Sequence, residues 1–170
     1  MIVKPRIRGF ICTTAHPGGC KAHVAEQIGY VSQAAPIKSG GIKNVLVLGC
    51  SGGYGLASRI VSAFGCGANT LGVSFEKAPT DSKTASAGYY NNLAFEEQAN
   101  SAGLYAKTID GDAFSDGMRE QVLATIRQDL RTIDLVVYSL ASPVRQHPRT
   151  GELHRSTIKP LGAVLDIKTV

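Results

Sequence analysis

The sequence predicts an α/β fold in which helices cover both faces of a parallel sheet, and three observations carry that prediction. Val45–Leu48 is a continuous apolar run rich in β-branched residues, as suits a strand buried on both faces. Gly49, Gly53 and Gly55 follow at once, and helical spacing then begins at Leu56, Ile60, Val61 and Phe64. The alternation of apolar run and helical segment repeats downstream. Strand, glycine turn and helix open a mononucleotide-binding βαβ unit. The expected class is therefore a Rossmann-type, doubly wound parallel sheet with four core strands in the order 3-2-1-4. It is expected to be incomplete on its C-terminal side and preceded by an N-terminal extension.

Composition agrees with one globular domain. The chain has 170 residues, 44% hydrophobic and 18% charged, enough to bury a real core. A formal net charge of +5 and a pI near 9.1 are mildly basic, with no dense Lys/Arg block. A surplus this small reads as solvated surface. Its functional alternative is an anionic partner such as a nucleotide, coenzyme A or acyl carrier protein. Nucleic acid fits the same charge but is not the expected partner. Lys4, Pro5, Arg6 and Arg8 interrupt any signal-peptide core, and no apolar stretch approaches a membrane span. The expected location is the cytoplasm, with no membrane partner.

Cysteine usage fits that location. Cys12, Cys20, Cys50 and Cys66 form no Cys-x-x-Cys, and free thiols are expected. Cys12, His16, Cys20 and His23 are zinc-type ligands, but their spacing matches no common finger. Pro17-Gly18-Gly19 is expected to be a turn that interrupts them. No metal site is expected.

Residues 1–43 read as the extension, packed on the nucleotide fold. Met1–Phe10 suggests an edge strand or a surface clamp, Thr13–Gly19 a loop, and Ala22–Val31 a helix. Ser39-Gly40-Gly41 is the hinge into the central strand. Residues 44–141 read as the first half of a dinucleotide-binding domain. Its second strand spans Asn69–Phe75 and ends at Glu76. Thr80–Gly88 is a polar loop, Tyr89–Asn100 a helix stopped near Gly103, and Leu104–Ile109 the third strand. Ser115 caps a helix to about Leu130, with Met118, Val122, Leu123 and Ile126 on one face. Ile133–Leu140 is a buried fourth strand. Residues 142–170 begin an excursion toward a substrate lobe, with a hairpin turn at Thr150-Gly151 and resumption of the fold at Leu161.

The glycines have a chemical reading. The chain must turn sharply at Gly49, approach a diphosphate closely near Gly53, and let the new helix lie against the strand at Gly55. The free N–H groups and positive dipole end of that helix then face the diphosphate. The loop residues Gly49, Cys50, Ser51, Gly52, Gly53 and Tyr54 are thus candidate cofactor contacts, with Cys50 and Gly52 as small-residue variants. Glu76, following Phe75 and twenty-one positions beyond Gly55, stands where such folds place the ribose acceptor. Its carboxylate would accept both ribose hydroxyls and repel a 2′-phosphate, which favours NADH over NADPH. Neighbouring Lys77 opposes that repulsion, and the alternative role of Glu76 is an exposed charge closing a strand. Asp112 is, from the residues alone, a cap for the next helix. Leu140-Ala141 ends the fourth strand, where the backbone passes beneath ribose and nicotinamide.

The spacing Gly-x-x-x-Gly-x-Gly resembles the cofactor loop of short-chain dehydrogenases/reductases. A closer resemblance covers the whole chain. Met1–Pro17, Gly49–Gly55, Tyr138–Pro143, Arg149–Gly151 and Lys159–Gly162 are similar to the monomeric trans-2-enoyl-CoA/enoyl-acyl-carrier-protein reductases. These are short-chain-dehydrogenase relatives with an N-terminal extension. The resemblance implies contact of the Asp112-Ala113 pair with adenine, with Asp112 as acceptor for the adenine amino hydrogen. It also implies hydride transfer from NADH to the β-carbon of an enoyl thioester, on acyl carrier protein or coenzyme A, in fatty acid synthesis. The whole enzyme is then expected to be a monomer.

The family's catalytic Tyr and Lys are separated by eight residues, and none of Tyr30, Tyr54, Tyr89, Tyr90, Tyr105 or Tyr138 has a Lys at that spacing. The pair is expected beyond Val170, so no catalytic residue is assigned and the chain is expected to be inactive by itself. His147 and His154 are expected at the surface. An uncovered fourth strand predicts that the isolated chain self-associates. The rival readings are a short-chain dehydrogenase acting on a ketone or alcohol, and a nucleotide- or zinc-binding regulatory module without catalysis.

Overall fold

In the computed structural model, which describes residues 3–34, 36–38, 40–157 and 162, strands and helices alternate from Asn44 onward. A short ribbon, β1 (Ile7–Arg8) and β2 (Ile11–Cys12), comes first and is followed by helix α1 (Pro17–Gln33). Then come β3 (Asn44–Leu48), α2 (Gly53–Ile60) with a π-helical turn at Val61–Gly65, β4 (Asn69–Ser74), α3 (Ala87–Ser101) and β5 (Ala106–Asp110). Helix α4 (Asp116–Thr125) also runs into a π-helical turn, Ile126–Leu130, before β6 (Leu135–Tyr138). A hairpin of β7 (Val144–Gln146) and β8 (Leu153–Arg155) closes the series.

The sheet is parallel with the order β5-β4-β3-β6, which is the expected 3-2-1-4. Val47 at its centre is opposite Gly72 on one side and Val137 on the other. Both faces of the inner strands are covered, so Val45–Leu48 of β3 is apolar throughout rather than alternating. Val24 and Ile28 of α1, Leu56 and Ile60 of α2, and Phe95 and Ala99 of α3 form one core layer. Leu46, Leu71, Val73 and Ile109 meet Met118 and Val122 of α4 in another. Burial of the larger of these side chains, each about 1.5–3 kcal/mol when complete, supplies the main driving force. The exposed Lys21–Glu97 ion pair between α1 and α3, at 2.7 Å, adds little.

Several local expectations are corrected. Among the described residues the N-terminal segment forms no edge strand of the sheet; Ile7 and Arg8 pair with Cys12 and Ile11 in a separate ribbon. Pro17-Gly18-Gly19 is not a turn but the start of α1. Proline at the first helical position loses no hydrogen bond, and the His16 Nδ1 accepts the Gly19 N–H at 3.1 Å. Gly88 lies inside α3 rather than in the preceding loop. Val61 and Leu123 are exposed because each lies one step, about 100°, round the helix from buried Ile60 and Val122. The fourth strand is not buried: Val136 is 55% exposed, since β6 pairs on one side only among the described residues. Leu161, where the fold was expected to resume, lies outside the described residues.

Candidate functional site

The turn after β3 is shaped by three backbone demands. Gly49 has φ +84°, and a Cβ there would overlap the Ser139 carbonyl at the end of β6. A Cβ on Gly55 would overlap the Gly49 carbonyl, so its absence lets α2 close onto β3. Gly53 opens α2 with φ +51°. The N-cap position is Gly52, which has no side chain to satisfy the first N–H groups of the helix. These donors and the dipole make the start of α2 an anion-binding end.

Beside it a cleft of about 320 Å³ opens at the carboxyl ends of all four strands. It is lined by Gly49 and Ser51 after β3, Ser74 and Phe75 at β4, Asp112 and Ala113 after β5, and Leu140 and Ala141 after β6. That is where open α/β sheets bind ligands. The remaining predicted residues stand apart from the lining. Cys50 is fully buried, with Sγ 3.5 Å from Asn92 Oδ1 and 3.7 Å from Arg59 Nη1. Burial pushes its thiol pKa up, and the Arg59 cation works against that rise. Gly52, Gly53 and Tyr54 are exposed at the rim.

Glu76 sits behind Ser51. The Ser51 hydroxyl donates to Oε1 at 2.5 Å, and the Ser86 hydroxyl donates to Oε2. Its backbone N–H donates to Asp110 Oδ1 at 2.8 Å. Asp112 does not cap α4. Its Oδ1 accepts the Phe114 N–H at 2.9 Å, shaping the turn, while Ser115 accepts from Met118 N at 3.2 Å and caps the helix.

Sequence reasoning missed two parts of this region. The β7 hairpin forms a wall of the cleft, with the Arg145 guanidinium 4.8 Å from the centre of the Phe114 ring. The position of Arg145, four residues past Ala141, was the available signal. Ser86 and Gly88 at the start of α3 had none. The two histidines lie away from the cleft: His147 Nδ1 accepts the N–H groups of Arg149 and Thr150 at 3.3 and 3.2 Å, holding the hairpin loop, and His154 is exposed. Among the described residues no group of three or more His, Cys, Asp or Glu stands together to hold a metal ion, and no helix is long and apolar enough to cross a membrane.

A glycine turn, an uncapped helix start and a strand-end cleft on one parallel sheet define an α/β domain of the nucleotide-binding class. Residues 2–81 match the NAD(P)H binding domain of trans-2-enoyl-CoA reductase, and residues 83–170 match the trans-2-enoyl-CoA reductase catalytic region. The chain belongs to the trans-2-enoyl-CoA reductase family. It is 60% identical over 169 residues to the NADH enoyl-acyl-carrier-protein reductase of Pseudoalteromonas atlantica, covering 99% of this chain and 43% of that protein. The Flavobacterium psychrophilum enzyme of the same name is 58% identical over 170 residues, with 100% and 42% covered. The crystal structure of Treponema denticola trans-2-enoyl-CoA reductase in complex with NAD superposes with a TM-score of 0.84 at 55% identity, over 95% of this chain and 42% of that one. The Clostridium acetobutulicum trans-2-enoyl-CoA reductase in complex with NADH gives 0.88 at 43% identity, over 94% and 40%. The chain thus spans under half the length of these relatives.

Proposed function

We propose that this chain is the cofactor-holding part of an NADH-dependent reductase acting on the trans-2 double bond of an enoyl thioester in fatty acid biosynthesis. The thioester is carried on acyl carrier protein or coenzyme A. The whole enzyme works as a cytoplasmic monomer, without nucleic acid or membrane. The observation that carries the reading is the junction of the uncapped α2 start with the strand-end cleft, in a chain of this family.

The residues present fit a dinucleotide. The first N–H groups of α2 would meet the diphosphate. Each Glu76 oxygen keeps a lone pair beyond its serine bond, so the carboxylate retains capacity for ribose hydroxyls and repels a 2′-phosphate. Asp112 and Ala113 would border adenine, and Leu140 and Ala141 the ribose next to nicotinamide. When bound, the cofactor supplies the hydride. The residues assigned here bind, orient and select; none of them makes or breaks a bond.

The test is a calorimetric titration of the chain with NADH and NADPH, as wild type and Glu76→Ala. Preferential binding of NADH, with the preference narrowed in the variant, supports the reading. Wild type that binds neither dinucleotide overturns it.

A further inference from the structure

We infer that Ser86 and Gly88, on the start of α3, are positioning residues that set dinucleotide selectivity by fixing the Glu76 carboxylate. The inference rests on the cofactor reading above and assigns its selectivity to residues outside the cleft.

Ser86 occupies the N-cap position of α3 with extended backbone angles (φ −63°, ψ 157°), where a serine ordinarily accepts a helix N–H. It makes no such cap. Its hydroxyl accepts the Lys77 N–H at 3.1 Å and donates to Glu76 Oε2. Helices α1 and α4 do receive side-chain caps, from His16 and Ser115. The Ser86 oxygen is committed to the carboxylate instead of to its own helix.

Gly88 controls the space behind the same carboxylate. A Cβ there would overlap Glu76 Oε1 and stand 2.7 Å from Ser51 Cβ. Its φ is not among the positive ones, so room, not backbone freedom, requires glycine. That same oxygen, Oε1, is held by Ser51, whose carbonyl accepts from Asn91 Nδ2 at 3.0 Å. With the Glu76 N–H on Asp110 as well, both oxygens and the backbone of Glu76 are fixed.

Rigidity matters for selection. A carboxylate free to rotate swings away from a 2′-phosphate and admits it, while also paying rotamer entropy to meet ribose hydroxyls. A carboxylate held by two serines and backed by Gly88 does neither.

The experiment measures dissociation constants of NADH and NADPH by nicotinamide fluorescence for wild type, Ser86→Ala, Ser86→Thr, Gly88→Ala, Glu76→Ala and the Ser86→Ala/Glu76→Ala double variant. Ser86→Ala is expected to narrow the NADH:NADPH selectivity about tenfold, the low end of the scale of one hydrogen bond to a charged group. Gly88→Ala narrows it further by displacing Oε1. Ser86→Thr, which keeps the hydroxyl, restores selectivity. Removing the hydroxyl from a chain already lacking the carboxylate changes nothing. A merely structural Ser86 would weaken both dinucleotides equally and leave their ratio intact. That result, in wild type that does prefer NADH, overturns this inference alone. Wild type that binds neither overturns the cofactor reading and the inference with it. Ser86→Ala removes only one oxygen and decides the matter even where Gly88→Ala fails to fold.

Discussion

Arg59 crosses the face of the sheet directly over Gly72. A Cβ on Gly72 would stand 2.8 Å from Arg59 Nη1 and 2.5 Å from Cys50 Sγ. The bare backbone in the middle of β4 is what admits a fully buried guanidinium between α2 and the strands. Arg59 then donates to the Thr70 hydroxyl at 3.2 Å, the Thr108 hydroxyl at 2.7 Å and the Lys107 carbonyl at 2.9 Å. Its cation lies 4.4 Å from the Phe95 ring centre and 3.9 Å from Glu96 Oε1.

Gly72→Ala is therefore expected to destabilise the fold by about 1–3 kcal/mol, the cost of overpacking a filled interior. Urea denaturation checks this. The midpoint should fall with an unchanged slope, because the surface exposed on unfolding is the same.

Arg59→Met is expected to cost about 3 kcal/mol or more. It strands two threonine hydroxyls, one carbonyl and a nearby carboxylate that has no hydrogen-bond partner of its own at Oε1. Arg59→Lys should recover little, since an ammonium cannot span three acceptors held in a fork. Thermal unfolding of both variants tests the pair; a Lys variant as stable as wild type contradicts the geometry.

Stability should fall at both pH extremes for identifiable reasons. Asp134 Oδ2 accepts the N–H groups of Lys43 and Asn44 at 2.8 and 2.9 Å, which holds its pKa below the ordinary value. The Tyr105 hydroxyl at 2.5 Å and the Lys107 ammonium at 3.1 Å do the same for Asp129. With folded values below the unfolded value of about 3.9, the folded state binds fewer protons. The contribution is complete above about pH 4 and lost as pH falls through the depressed values. Asp134→Asn should flatten that acid limb. Tyr105 has the opposite sign, because burial, then the bond to Asp129, pushes its phenol up. Its contribution is complete below the ordinary tyrosine value of about 10 and lost as pH rises beyond it. Tyr105→Phe should flatten the alkaline limb. Urea midpoints measured across both ranges decide each case.

Self-association should run through β6. Its outer edge presents Val136 and Tyr138, 55% and 65% exposed, beside backbone groups free to pair another strand among the described residues. Sedimentation is expected to show concentration-dependent dimers or larger species in wild type and a shift toward monomer in Val136→Lys. A dilute, monodisperse wild-type monomer, or a variant that associates equally, would contradict the assignment.

What was legible in the sequence was local. Gly49 and Gly55 are demanded by a turn whose parts lie within a few residues, so the strand, turn and helix could be read together. The apolar run at Val45–Leu48 fixed the central strand for the same reason. Exposure of β6 was not legible, because Ile133–Leu140 has a core strand's composition and only the sheet order puts it at an edge. Pro17-Gly18-Gly19 misled because turn residues also begin helices. The buried Arg59, the bare backbone it needs at Gly72 and the serine clasp on Glu76 were invisible in principle. Ser86 and Glu76 are ten positions apart and Arg59 and Thr108 forty-nine, and nothing in either neighbourhood announces the other.

The strand order also dictates a timetable. Val45 pairs Thr70 and Thr70 pairs Ala106, short separations beside the ninety residues that part Val45 from Leu135. Closing the longest of these loops costs about 1 kcal/mol more than closing the shortest. During synthesis, three strands and their helices emerge before the fourth exists. The inner side of β3 can thus be zipped while its other side still waits. Pulsed hydrogen exchange during refolding should find the amides of β4 and β5 protected ahead of those of β6.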